Sequence, residues 1–131
     1  MGPRKYLSLV LVFIIGCTTS LAENVKSISK RYEEVVAEDG ISQEEAKTIA
    51  QKQLIKENVV DLYELSKPQI LDDIADLPNH QDYWFIFFKE KRPSSIPFIF
   101  MVLIHQETGK IKFADDYNEE KKWILEAALL R

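Results

Sequence analysis

Tyr83-Trp84-Phe85-Ile86-Phe87-Phe88 and Phe98-Ile99-Phe100-Met101-Val102-Leu103-Ile104 are the two stretches that decide the fold. Both are short, aromatic and β-branched, and charge or proline bounds them, so they read as two strands joined by the loop Lys89 to Pro97. Neither alternates apolar with polar residues. A sheet with one wet face would show that alternation, so these strands are expected to be apolar on both faces. The second face must then be covered, either by helices or by self-association into a homodimer. Downstream, Glu107-Thr108-Gly109 supplies a tight turn, with Gly109 free to take a positive φ, into a shorter strand Lys110 to Phe113.

Working outward, Val59 to Leu65 has strand-like residues, and Lys67-Pro68 ends or kinks that segment. Gln69 to Gln81, with its aspartates, Pro78 and Asn79-His80, reads equally as a strand followed by a loop or as a short helix. From Glu23 to Glu38, Val25, Ile28, Tyr32, Val35 and Val36 fall on one helical stripe that Asp39-Gly40 terminates. A second helix opens on Ser42, whose hydroxyl can accept a free backbone N–H while Glu45 reaches back to the cap. Its buried stripe is Ala46, Ile49, Ala50 and Leu54, and Ile41 before the cap can act as a hydrophobic staple. A last helix, about Asn118 to Leu130, presents Trp123, Ala127 and Leu130 on one side. The first and last helices are the candidates for covering the sheet. The expected class is α+β: a small antiparallel sheet of three to four strands packed against helices.

The amino terminus has a different character. Arg4 and Lys5 precede an apolar stretch from Tyr6 to Ile15, followed by Gly16, Cys17, Thr18, Thr19 and Ser20. This is the charged, apolar, small-residue order of a secretory signal peptide, and the apolar run falls short of the roughly 20 residues of a membrane span. Residues 1–22 are therefore read as an export signal and 23–131 as a single domain. Ile14-Ile15-Gly16-Cys17 is similar to the lipobox of bacterial lipoproteins, in which a signal peptidase cuts before a cysteine that carries a diacylglycerol. Cys17 is the only cysteine, so it has no internal disulfide partner. Lipidation at Cys17 is favoured over ordinary cleavage after Ala22, where Ser20-Leu21-Ala22 also has the required small residues. Either route leads to the periplasm or cell envelope, with membrane contact only through the lipid anchor.

The 131 residues have room for one domain, and 46% hydrophobic content is ordinary for a globular chain. The formal charge of −4 becomes −6 once Arg4 and Lys5 are removed, with 15 basic against 21 acidic residues left. An acidic chain without a basic patch argues against nucleic acid as partner. Its densest basic run, Lys89 to Arg92, is interrupted by Glu90 and followed by Pro93. Catalytic patterns are missing as well. His80 and His105 stand alone, without metal-ligand spacing, and His105 is placed to cap the end of its strand. There is no GxSxG and no phosphate-cradling glycine loop. Asp72, Asp73 and Asp76 could meet on a helix turn as paired acids, but read better as a solvated acidic loop. No catalytic, cofactor or metal residues are expected.

Ile41-Ser42-Gln43-Glu44-Glu45-Ala46-Lys47-Thr48-Ile49-Ala50, the Trp84-bearing strand, and Val102-Leu103-Ile104 through Thr108-Gly109-Lys110-Ile111 together resemble PepSY-like domains. The match spans roughly Ile41 to Phe113. One departure is His105, where the family usually has an acidic residue four ahead of the glycine. The connection from Val59 to Gln81 is also longer and more acidic than the family pattern. The resemblance implies a PepSY-like or cystatin-like sheet packed on the capped helix, a place outside the cytoplasm, and restraint of a secreted peptidase, with no cofactor. Ala46, Ile49, Trp84 and Gly109 match its motif and read as structural.

The expected function is a non-catalytic binding or inhibitory module acting on a protein partner in the cell envelope. The alternative is an immunity protein that neutralises a toxin delivered to the periplasm, since an acidic surface can steer toward a basic partner. The expected contact surface is the loop Lys89 to Pro97: Lys89, Lys91 and Arg92 offer charge, Ser94 and Ser95 hydrogen bonds, and Pro93 and Pro97 stiffness.

Overall fold

The computed structural model describes residues 21–35, 38–72 and 77–130. Arg4, Lys5, Cys17 and the rest of the first 20 residues lie outside these, as do Val36, Asp73 and Asp76. Helix α1 covers residues 21–33 and α2 Gln43–Lys56. The strands are β1 Gln69–Ile70, β2 Tyr83–Lys89, β3 Ile99–His105 and β4 Ile111–Tyr117, and helix α3 is Lys122–Leu130. The strands form one open antiparallel sheet in the order β1-β2-β3-β4. The chain is therefore an α+β domain.

The doubly apolar reading of β2 and β3 holds because each strand feeds two cores. Ile86 and Phe88 with Phe100, Val102 and Ile104 face Ile28 of α1 and Ala46, Ile49, Ala50 and Leu54 of α2. Phe85, Met101 and Leu103 face the other way, against Leu77 and against Leu125 and Leu129 of α3. Burying one such aromatic or aliphatic side chain contributes about 1.5–3 kcal/mol, so each face matters in a domain this small. Of the two candidate helices, the last one covers the second face. α1 joins α2 on the first face, and α3 covers the second. Within α3 the buried residues are Leu125 and Leu129, while Trp123 and Leu130 are 67% and 71% exposed. The stripe of Trp123, Ala127 and Leu130 is real as a helical face, but α3 turns it outward.

The capping box of α2 forms as read. The Glu45 N–H donates to Ser42 Oγ at 3.2 Å, and the Ser42 N–H donates to Glu45 Oε1 at 3.0 Å. The other end of α2 corrects the strand expected at Val59 to Leu65. Asn58 adopts φ 60°, the Asn58 N–H donates to the Ile55 carbonyl and the Val59 N–H to the Leu54 carbonyl. This left-handed C-terminal cap reverses the chain. Leu62 and Tyr63 then bond back to Val59, leaving a single bridge, Tyr63 to Glu90, instead of a strand. Strand propensity in Val59 and Val60 yields to the helix termination just before them.

Three further boundaries move. α1 ends by residue 33, and Tyr32 is largely exposed rather than part of the buried stripe. β4 runs on to Tyr117, four residues past the expected Phe113, because it stays paired with β3 through Met101, Phe100 and Ile99, while the Asp115 carboxylate accepts the Asp116 N–H at 2.8 Å and Asp116 accepts from the Tyr63 hydroxyl. The undecided 69–81 segment contains a two-residue strand and a 3-10 turn at His80–Asp82.

Candidate functional site

Two constellations emerge from this frame. The first gathers the motif residues into one joint. Trp84 on β2 donates its indole N–H to the Ile41 carbonyl at 2.9 Å, and the Ile41 N–H donates to the Gln106 carbonyl at 2.7 Å. Gly109, at φ 74°, brings the β3–β4 turn so close that an added Cβ would stand 3.1 Å from Ile41 Cδ1 and 3.4 Å from Ile49 Cδ1. Ala46 and Ile49 lie in the same core. Residues distant in sequence thus lock the start of α2 to the end of the sheet, which is a structural role.

His105 belongs to this joint. Its Nδ1 accepts the Glu107 and Thr108 N–H groups at 3.2 and 3.3 Å, and its ring stands edge-on to Tyr83 at 5.3 Å. The imidazole thereby serves as an acceptor for the turn's backbone, a role that an acidic side chain can also fill. The other histidine, His80, has its Nδ1 3.0 Å from the Leu77 carbonyl. Asp72 is exposed, and among the described residues no cluster of His, Cys, Asp and Glu could hold a metal ion.

The second constellation is the loop end of the β2–β3 hairpin. Lys89 is the last residue of β2, so the loop proper begins after it. Glu90 is held twice, by its bridge to Tyr63 and by accepting the Phe98 N–H on Oε1 at 2.6 Å. Lys89, Lys91, Arg92, Ser94 and Ser95 are all exposed. The three cations form no ion pair among the described residues. The Ser94 hydroxyl donates to the Ile96 carbonyl at 2.9 Å, so it partly shapes the loop.

Sequence reasoning missed two residues here. Leu62 is 60% exposed and Ile96 63% exposed. Leu62 sits across from the loop, its carbonyl accepting the Lys91 N–H at 2.9 Å, and Ile96 stands on the loop itself. Reading 59–65 as a strand hid Leu62. Ile96, an aliphatic residue between Ser95 and Pro97, was visible as an apolar residue with no element to bury it. Beside Leu62 a hollow of about 490 Å³ is walled by Asp61, Leu62, Tyr63, Glu90, Lys91 and Arg92. Tyr63 at its base is buried and stacked at a tilt on Phe100, 5.6 Å between centroids. Burial first, and then the hydrogen bond to Asp116, push its phenol well above the ordinary range. It stays protonated, a fixed donor rather than a proton carrier.

What fold and site define is an α+β domain with a rigid two-sided core and a cationic loop end carrying exposed aliphatic residues. No family model, no curated protein and no solved structure matches the chain.

Proposed function

We propose that this chain is an exported, non-catalytic binding or inhibitory module of the cell envelope, of PepSY-like kind, restraining a secreted peptidase or another envelope enzyme. The observation that carries the reading is the loop end, where Lys89, Lys91 and Arg92, without an ion pair among the described residues, accompany the exposed aliphatics Leu62 and Ile96. Apolar anchors with a polar, charged rim are the composition of a protein-binding surface. Pro93 and Pro97 limit the entropy lost when a partner orders the loop. Lipidation at Cys17 is part of the same reading: cleavage before Cys17 keeps Leu21 and Ala22, which are helical in α1, whereas cleavage after Ala22 removes them.

The test is capture of the partner from envelope extract, followed by affinity measurement with Lys91→Glu, Arg92→Glu and Ile96→Ser combined. These positions are chosen because Glu90 holds Phe98 and Lys89 belongs to β2. A loss of tenfold or more, about 1.4 kcal/mol, is expected, and a change within about twofold, or 0.4 kcal/mol, would exclude the loop as the contact surface. A captured peptidase supports inhibition, and a captured toxin supports the immunity reading. For the anchor, Cys17→Ser should release the protein from the detergent phase or leave the signal uncut; a mature chain beginning at Glu23 would refute lipidation.

A further inference from the structure

Helix α1 runs the length of the domain, and its ends mark two poles. At its start, Leu21 and Asn24 line a small hollow of about 120 Å³ together with Lys91 of the β2–β3 loop. At its other end, Tyr32, Glu33 and, just beyond, Val35 line a hollow of about 330 Å³ with Thr108 and Gly109 of the β3–β4 turn. The helix, residues 21–33, rises about 20 Å from one to the other. Strand β3, Ile99–His105, runs from the loop to the turn and extends about 20 Å as well. The two lengths agree, so the chain enters the domain at the loop end and α1 carries it to the turn end.

Exposed apolar side chains gather at the pole of entry. Leu62 and Ile96 stand there, and Leu21 is 39% exposed at the start of α1. Exposed Trp123 lies two residues past Lys121, whose Nζ stands 5.4 Å over the ring of Phe98 at the base of the loop. The other large apolar residues exposed among those described are Tyr32, on the turn hollow, and Leu130, next to Leu129, whose carbonyl accepts from Asn79 ahead of β2. Charge does not select an occupant for the loop end, since Asp61 and Glu90 stand beside Lys91 and Arg92. The place where the chain enters does.

With Cys17 as the lipidated residue, the anchor is four residues ahead of Leu21, and four residues of extended chain span at most about 14 Å. Leu21, and with it the loop end, is then held close to the bilayer, while the turn end can stand about 20 Å farther out. A gap of about 14 Å does not admit a separate globular domain, whose radius of gyration at 100 residues is already about 13 Å. A protein embedded in the membrane presents its extramembrane face at that height, and confinement of both chains to one membrane raises their effective concentration. We propose that the loop end is the membrane-proximal pole of the anchored chain, and that the partner it meets is a protein embedded in the same membrane. The proposal rests on the binding-module reading and its Cys17 anchor, and adds where the contact is made and by what class of protein.

The test uses the full lipidated chain. Cys17 is the only cysteine and its sulfur is taken by the lipid, so one introduced cysteine can be labelled alone. Ser95→Cys marks the loop end and Glu107→Cys the turn end, both at exposed positions. In phosphatidylglycerol and phosphatidylethanolamine vesicles carrying a headgroup nitroxide, the fluorophore at 95 should be quenched severalfold more than the one at 107. A flexible Gly/Ser insert of about 20 residues after Ser20 should abolish that difference, because the tether then exceeds the length of the domain. In envelopes, a photo-crosslinker on Ser95→Cys should capture a protein that stays with the membrane through salt and alkaline washes. Equal quenching at the two positions, or stronger quenching at 107, overturns the proposal. So does a captured partner that the washes release, which leaves the loop contact standing with a soluble protein. Quenching at 95 that survives the long insert, with no protein captured, overturns it in favour of the lipid surface itself as occupant. The readings beneath it fail separately: a mature chain beginning at Glu23 removes the anchor and this proposal but not the loop contact, and a partner indifferent to the combined loop substitutions removes the loop contact while the quenching still reports the orientation.

Discussion

Replacing Gly109 by Ala tests whether the joint between the β3–β4 turn and the α2 cap is as tight as its geometry indicates. Two costs apply. At φ 74° an L-residue sits in the left-handed region, which costs roughly 1–2 kcal/mol relative to glycine. The new Cβ would also stand 3.1 and 3.3 Å from Ile41 Cδ1 and Cγ1 and 3.4 Å from Ile49 Cδ1. Ile41 cannot easily retreat, since its N–H bonds Gln106 and its carbonyl holds the Trp84 indole. Overpacking of this kind costs about 1–3 kcal/mol, so the expected total is about 2–5 kcal/mol. That is a large share of the ~5–15 kcal/mol that holds a small domain together. Urea melts followed by Trp84 fluorescence and by circular dichroism would measure it. A second variant separates the two costs: Ile41→Val in the Gly109→Ala background should restore part of the loss, and Gly109→Asn should lower the backbone cost while keeping the clash. A loss under about 1 kcal/mol, or no recovery with Ile41→Val, would refute the close approach.

Ser42→Ala should cost about 1 kcal/mol through the lost acceptor for the Glu45 N–H, and an unchanged denaturant midpoint would show that the cap is not what starts α2. Because the Tyr63 phenol is raised above its unfolded value, the unfolded chain releases that proton first; the stability it contributes is fully present below about pH 10 and declines as pH rises further. Tyr63→Phe should remove that alkaline decline and cost about 1–3 kcal/mol at neutral pH by stripping Asp116 of its donor, and an alkaline profile identical to the parent would contradict the assignment. His105→Ala should destabilise the turn by about 1 kcal/mol while His105→Asn retains an acceptor and most of the stability, so equal losses in thermal melts would mean that Nδ1 is not the group that matters.

Local signals in this sequence were sufficient wherever the answer was local. The capping box of Ser42 and Glu45 and the positive φ of Gly109 depend on neighbours within a few residues, and the unalternating strands announce two buried faces by composition alone. The same residues gave a reliable α+β class. The candidate loop was legible in part: its charges and prolines could be read directly, and all five named residues are exposed.

What tertiary structure decided is where each apolar surface goes. Trp123 and Leu130 look as ready for burial as Leu125 and Leu129, and only the orientation of α3 on the sheet makes the second pair core and leaves the first in solvent. Asp115 and Asp116 read as the end of a strand, yet β4 passes through them paired with Met101 and Phe100 of β3, and Tyr63, 53 residues earlier, donates to Asp116. Leu62 is exposed because the left-handed cap at Asn58 turns a strand-like segment into an irregular one that walls the hollow at the loop end, facing Glu90, Lys91 and Arg92. Propensity and periodicity act over a few residues, whereas these outcomes depend on contacts between segments that meet only after the chain has folded.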